Sequence, residues 1–320
     1  MTNQRLSAPP TRLDDAARAG WLYYVAGNTQ DEIAQKLGVS RQTAQRLVAM
    51  AVAEKLVKVR LDHPIGHCMD LAAELTDRFG LRIAEVVPSD PGAPDLLAGV
   101  ASAAAALLER TLRHPEPQII ALGTGRALKA TVEALPRMDC PQHRIVSRLG
   151  NMMANGQATA YNAVVRMADR VGAPHYPCPL PVLVKDPQEL GLLHAQEAVR
   201  HTLALCAEAD LTLVGIGQMN SRAPLFVDGF VSQAELEALV RAGAAGEITS
   251  WVFDGQGQLI HGSFNARVAS APLSRAGEKP FVAVAVGEAK VAAIRAALAG
   301  CLVNGLVTNE ATASSLLASS

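Results

Sequence analysis

Two stretches of this 320-residue sequence gather side chains that could do chemistry, and they lie far apart in the chain. The first is basic. Residues 36–60 hold Lys36, Arg41, Arg46, Lys55, Lys58 and Arg60 against one acid, Glu54, a local charge of +5 in a chain whose formal net charge is −1. The rest of the chain is therefore net acidic. Such segregation suggests a module for a polyanion attached to a body that does not bind one. The second stretch is QIIALGTGRALKATVEAL, residues 118–135, which reads as a strand, a glycine turn and a helix. The backbone N–H groups of Gly123, Thr124, Gly125 and Arg126 converge at the start of that helix, where unpaired donors and the helix dipole favour an anion. Thr124 and Arg126 add side-chain donors. The pattern is neither a P-loop nor a complete G-x-G-x-x-G, and the same residues also suit a tight turn with no ligand.

Further candidates follow the glycine turn. HRIVSRLG (143–150) is a second strand whose end places Gly150 and Asn151 beside the first loop, where open α/β sheets bind ligands. DLTLVGIGQMNSRAPLF carries Gly215 and Gly217, and GEITSWVFDGQGQLI carries Asp254. FNARVAS is expected as a strand with Asn265 and Arg267, and VAVGEAKVAAI sets Glu288 and Lys290 at the opening of a helix. Each has a purely structural alternative: Asn265 and Arg267 as braces at strand ends, Asp254 as a turn residue before Gly255, Lys290 as a solvated helix start.

The basic stretch has its own architecture. Residues 14–26 suit a first helix with Ala17, Trp21, Leu22 and Val25 on one face. Thr29 and Glu32 form a capping box for a short second helix, QDEIAQKL, which Gly38 ends. Ser40 caps a third, with Ala44, Leu47, Val48 and Ala51 facing inward. The spacing I-A-x-x-L-G-V-S-x-x-T-x-x-R predicts a helix-turn-helix. In that motif the start of the third helix enters the major groove of DNA. Ser40, Arg41, Gln42, Thr43, Gln45 and Arg46 are then the candidate DNA contacts, arginine suited to guanine and glutamine to adenine. Lys58 and Arg60, in the alternating run L-V-K-V-R-L, are expected on a wing touching phosphates. The structural alternative is a helical hairpin with a solvated basic face.

The elements that must position these residues fall into four segments. Residues 1–11, with Pro9-Pro10, are expected as a disordered tail, and 12–61 as the helix-turn-helix domain. Residues 62–83 are expected as a linker and an amphipathic connector helix, with Leu71, Leu75 and Phe79 in step. Residues 84–320 form the larger unit. There, strand-like runs at 118–123, 143–150, 210–217, 281–287 and 302–308 alternate with helix-like stretches at 95–113, 126–135, 160–172, 188–207, 232–242, 289–299 and 310–318. That alternation, with nearly continuous apolar strands, predicts a doubly wound, mostly parallel α/β fold. The composition, 49% hydrophobic and 18% charged, supplies a sizeable core, and 4% aromatics make it aliphatic. The five cysteines form no C-x-x-C pair, which argues against a zinc cluster and for reduced thiols in a cytoplasm. No apolar run reaches membrane-spanning length, and the first residues show no secretory signal.

In the order helix-turn-helix, FGLRIAEVVP, GTGR, ADLTLVGIG, FVDGF, GAAGEI, FDGQG, NARVAS, VAVGEAK and LVNGLVTNEATA, the chain resembles the SorC/DeoR-type sugar-binding transcriptional regulators across residues 14–318. The resemblance implies a large domain similar to the folds of ribose-5-phosphate isomerase, glucosamine-6-phosphate deaminase and CoA-transferases. It also implies a sugar-phosphate or polyol effector and assembly as a tetramer on operator DNA. By the same resemblance Gly123 to Arg126 match a phosphate loop, Asp254 a residue that binds sugar hydroxyls, and Lys290 a residue at the ligand's phosphate. The first loop has one hydroxyl residue, Thr124, so a neutral polyol stays open beside a phosphate ester.

An enzyme of the same fold, with an appended DNA-binding domain, is the alternative. It needs a placed general base and acid. The loop VGIGQMNSRAPLF offers Gln218, Asn220, Ser221 and Arg222 and no carboxylate or imidazole, and His194 and His201 sit on an expected helix without an evident partner. The sequence therefore favours a sensor over a catalyst, with no cofactor and no metal. A third possibility is a DNA-bound scaffold whose large domain only oligomerises, against which the glycine loop argues.

Overall fold

A computed structural model describes residues 11–54, 56–57, 65–93, 97–153, 156–158 and 161–318. The chain divides into two units, residues 1–63 and 64–320.

The first unit is three helices: α1 (Arg12–Tyr24), α2 (Gln30–Leu37) and α3 (Arg41–Ala53). Local chemistry fixes their ends. The Thr29 side chain accepts the Glu32 N–H while the Glu32 carboxylate accepts the Thr29 N–H, and Thr11 and Asp14 do the same for α1. Gly38 ends α2 at φ 65°, a left-handed conformation that suits glycine, and Ser40 caps α3. The core is Ile33, Leu47 and Val48 among alanines 16, 19, 34, 44 and 51. Sequence periodicity placed the inward face of α1 only in part: Leu22 packs against the core and Ala17 is half-buried, but the other two expected residues are not inside. Trp21 and Val25 are 55% and 66% exposed, and Ala16, Ala19 and Gly20 point inward. The reason is the closeness of α1 to α3: a Cβ on Gly20 would fall 2.7 Å from that of Ala51, so only small residues fit the crossing. The expected wing, with Lys55, Lys58 and Arg60, lies outside the described residues.

The second unit opens with α4 (Gly66–Phe79) and β1 (Ile83–Val87), then α5 (Leu97–Leu112), β2 (Ile119–Leu122), α6 (Arg126–Ala134), β3 (Arg144–Met152), α7 (Ala163–Val171) and β4 (His175–Pro181). Helices α8 (Glu189–His194) and α9 (Glu197–Glu208) follow, then β5 (Leu211–Val214), β6 (Gly217–Gln218), α10 (Pro224–Val227), α11 (Gln233–Arg241), β7 (Ala244–Ile248) and β8 (Trp251–Asp254). The chain ends with β9 (Phe281–Val284), α12 (Val291–Ala299), β10 (Gly305–Asn309) and α13 (Glu310–Ala318). Seven strands form a wholly parallel sheet in the order β1-β10-β9-β5-β2-β3-β4, and β6-β7-β8 form a small antiparallel sheet. The central strands β2, β5, β9 and β10 are buried on both faces. Ile120 and Leu122 of β2 pack into a core with α5, α6 and α7, while Ala121 between them faces a cluster with Leu205 and Cys206 of α9.

Several expectations change. Residues 66–79 were expected in a connector, yet Leu71 and Leu75 are buried in a cluster with α12 and α13, so the helix is part of the large unit's own core. The stretch 188–207 is two helices, broken at Ala195–Gln196, with Gln196 extended. FNARVAS is not a strand: Asn265–Arg267 form one 3-10 turn. No described helix is long and apolar enough to cross a membrane.

Candidate functional site

A cavity of about 980 Å3 opens beyond the carboxyl ends of β2, β5 and β9, the edge at which parallel sheets bind ligands. Four turns build it. The β2–α6 turn gives Thr124, Gly125 and Arg126, the β5–β6 turn with β6 itself Gly215 to Gln218, the end of β7 and the β7–β8 turn Glu247, Thr249 and Ser250, and the segment after β9 Ala285 to Gly287 and Lys290. Tyr161 and Asp228 close the rim.

The backbone is shaped for close approach. Gly125 caps α6 at φ 110° and Gly287 precedes Lys290 at φ 113°, a range that L side chains rarely adopt. Gly217 leaves room for Glu247: a Cβ there would lie 2.3 Å from a Glu247 carboxylate oxygen, which would have to shift. Thr249 and Ser250 make the β7–β8 turn with φ 48° and 71°, a conformation that glycine or asparagine normally supplies. Strain of this kind collects where surrounding structure dictates a position for function. The Thr249 hydroxyl is buried in that turn without a hydrogen-bond partner.

Two cations, Arg126 and Lys290, and two carboxylates, Asp228 and Glu247, share the lining of the cavity. Lys290 donates to the Ile216 carbonyl at 2.8 Å. Burial lowers its pKa, Glu247 raises it, and Arg126 lowers it further. Burial pushes the Glu247 carboxyl above its ordinary value, while the Ser250 N–H, donated at 2.8 Å, and Lys290 pull it back. Asp228 is raised by burial, against the pull of Arg126 and of the Tyr161 hydroxyl, which donates to it at 3.5 Å. The Thr124 hydroxyl donates to the Tyr161 carbonyl at 3.1 Å. This ring of cations, carboxylates and hydroxyls suits a small molecule with several hydroxyl groups, each able to donate and accept.

The sequence candidates divide accordingly. Thr124, Gly125, Arg126 and Lys290 line the cavity; Gly123 stands behind it, where its Cβ would lie 3.2 Å from the Thr249 methyl. Asp254 does not line it. Its carboxylate accepts the N–H groups of Gln256 and Gln258, both at 2.9 Å, and holds its own turn. Asn265 is a buried brace: it accepts the Val252 N–H and donates to the carbonyls of Val252 and Ile260. Arg267 pairs with Glu235 at 2.6 Å. Gly150 belongs to the sheet, where a Cβ would fall 2.1 Å from the Leu180 carbonyl oxygen. The Asn151 side chain lies outside the described residues. His194 reaches the Ala269 carbonyl and His201 stacks edge-on to Tyr176; neither meets the cavity. Glu247, Thr249, Ser250, Asp228 and Tyr161 were missed. The signal for the first three was a non-glycine pair between two strand-like runs in GEITSWVF.

In the first unit, Ser40, Arg41, Gln42, Gln45 and Arg46 are exposed and Thr43 half-buried, along one side of α3. Ser40 and Thr43 bond each other through their hydroxyls at 2.9 Å, and Arg41 leans on Asp31 at 3.4 Å with both side chains largely in solvent.

Comparison with known proteins agrees with this architecture. Residues 63–318 match the family described as "Putative sugar-binding domain". The erythritol catabolism regulatory protein EryD of Brucella abortus (strain 2308) is 35% identical over 304 residues, 94% of this chain and 96% of that one. The transcriptional regulator LsrR of Enterobacter sp. (strain 638) is 30% identical over 313 residues, covering 94% and 92%. The full-length sorbitol operon regulator SorC of Klebsiella pneumoniae superposes with a TM-score of 0.69 at 25% identity, over 95% of this chain and 99% of that chain. A domain of a possible sugar-binding regulator from Arthrobacter aurescens TC1 gives 0.71 at 20% identity over 80% of this chain and all of its own, a likeness of fold. A sugar-binding domain that follows a three-helix unit in sequence, matched along nearly the whole chain by transcriptional regulators, makes this chain a transcriptional regulator of the SorC/DeoR-type sugar-binding family.

Proposed function

We propose that the start of α3 reads operator DNA and that the cavity beyond β2, β5 and β9 binds a small polyhydroxylated effector whose occupancy sets operator affinity. The observation that carries the effector half is the gathering of Arg126, Asp228, Glu247 and Lys290 around one cavity with the strained Thr249-Ser250 turn. The loop donors are already engaged within the protein: Thr124 with the Tyr161 carbonyl, Lys290 with Ile216, and Arg126 beside Asp228. That favours a neutral polyol or free sugar over a phosphate ester, and the relative named for erythritol catabolism puts a four-carbon polyol first in the panel. DNA contacts are assigned to Ser40, Arg41, Gln42, Thr43, Gln45 and Arg46. Paired half-sites call for a symmetric oligomer, taken here as a homotetramer in the cytoplasm.

The test joins both halves. Duplexes selected by the purified protein from a random pool serve as operator, and a panel of polyols, sugars and their phosphates is screened by thermal shift. A true effector raises stability by mass action. It changes operator affinity only through different affinities for the two states, so binding and response must be measured together. Arg41→Ala or Gln42→Ala should weaken operator binding by about 1–3 kcal/mol and relax base choice. Asp228→Asn should abolish the polyol's shift and leave operator binding intact. Wild-type operator binding by Arg41→Ala and Gln42→Ala together, or a full polyol response in Asp228→Asn, would refute the respective half.

A further inference from the structure

The large unit has a second cavity, of about 420 Å3, at the other ends of the same strands. Thr212, near the start of β5, and Phe281, the first residue of β9, are in its wall, whereas the first cavity opens beyond the carboxyl ends of those strands. Arg148 of β3 is set into this wall and is 5% exposed. Its Nη2 donates to the Pro272 carbonyl at 2.8 Å, and its guanidinium carbon lies 4.9 Å from the centroid of the Phe281 ring. Pro272 and Phe281 both line the cavity, so the guanidinium between them faces it. Its Nε is buried and has no hydrogen-bond partner. Among the described residues no carboxylate lies within ion-pair distance of it. Neighbouring Cys206 supplies no counter-charge, because burial raises its thiol to about 11 and keeps it neutral.

A buried guanidinium without a counter-ion is costly, and its planar fork of donors matches the oxygens of a carboxylate or phosphate. We propose that this cavity is a second ligand site that takes a small oxyanion, a carboxylate or a phosphate group, on Arg148. Arg275 and Lys279 at the exposed rim add positive charge, with Lys279 shared with Asp210 at 2.8 Å, and Glu278 is the one acid in the lining. Thr212 and Ser274 add hydroxyls. The site is independent of the effector cavity.

Calorimetric titration of the full-length protein with inorganic phosphate, and separately with malonate, tests this. Arg126→Ala is the background, because it weakens any anion binding in the first cavity. The background variant should bind one of the two anions, and Arg126→Ala/Arg148→Met should bind it at least about tenfold more weakly, the loss of one charge-assisted contact. The preferred anion identifies the source, phosphate ester or carboxylate. Arg275→Ala in the same background, a change at the exposed rim, should weaken binding several-fold without altering the ligand-free melting temperature. No binding of either anion by the background variant overturns the site. So does undiminished binding when Arg148 is replaced, or, should that variant fail to fold, undiminished binding in the Arg275 variant.

Discussion

Asn265 separates two roles that the sequence could not tell apart, ligand contact and structural brace. The perturbation is Asn265→Ala. In the native protein the amide accepts the Val252 N–H at 2.9 Å and donates to the carbonyls of Val252 and Ile260 at 2.7 and 2.8 Å. Each bond contributes about 0.5–1.5 kcal/mol net, and a buried backbone group left unpaired costs about 1–3 kcal/mol. Val252 is wholly buried, so water cannot replace its lost partners without opening the packing. The cost is therefore roughly 3 kcal/mol. For a unit of this size that lowers the melting temperature by about 6–12 °C. The assay is thermal and urea denaturation of wild type and variant, followed by effector titration of both at a temperature where each is folded. The expected pattern is a large loss of stability with effector affinity unchanged. A melting temperature within about 2 °C of wild type, with effector affinity lost, would refute the brace and return Asn265 to the ligand.

Three shorter predictions follow from the same geometry. Asp254→Ala should cost about 1 kcal/mol by releasing the Gln256 and Gln258 N–H groups while leaving the effector titration unchanged; a lost effector response would put Asp254 back in the site. Burial alone would raise the Asp210 carboxyl, but the Lys279 ammonium and the Ile119 N–H outweigh it and hold the pKa below its ordinary value. The folded state therefore binds fewer protons there, so this stability is present above the ordinary carboxylate range and is lost as pH falls through the folded value. The stability gap between wild type and Asp210→Asn should shrink steadily from about pH 6 to pH 3 in urea titrations, and a gap independent of pH would contradict it. Gly217→Ala drives a methyl group against the Glu247 carboxylate, an overpacking worth about 1–3 kcal/mol, and should also blunt the effector response; an unaltered protein would mean that Glu247 is free to move aside.

Local signals carried most of the fold. The Thr29–Glu32 capping box, Gly38 and Ser40 are contacts within a few residues of one another, so spacing alone announces them. The apolar runs at β2, β5 and β9 are short, each followed by a glycine, and buried on both faces, and need no knowledge of their neighbours. Other elements depend on partners distant in sequence. The strand β4, HYPCPLP, carries three prolines, at positions 177, 179 and 181, and is absent from the expected strands; it is an edge strand, where missing N–H donors are tolerated. The first helix was read from its large apolar residues, yet a close crossing with α3 selected its smallest ones.

The site shows the same division more sharply. Thr124, Gly125, Arg126 and Lys290 were legible because each belongs to a turn whose own backbone announces a helix start. Asp254 drew notice as an acid before a glycine, but an aspartate two residues ahead of a free N–H satisfies its own turn first. Glu247 had the opposite problem. In sequence it is one carboxylate among many; in the fold it lies half-buried against Gly217 in the cavity wall, bonded to the Ser250 N–H and close enough to Lys290 for the two charges to interact. What selects it is the missing side chain thirty residues earlier, a complementarity that only tertiary packing reveals. Two carboxylates are compatible with the proposed sensor: one accepts the Ser250 N–H of the strained turn and the other the Tyr161 hydroxyl beside Arg126, which under that proposal holds both as acceptors for effector hydroxyls. A binding site needs acceptors that stay in place. A general acid or base needs one free to exchange its proton with a reacting group.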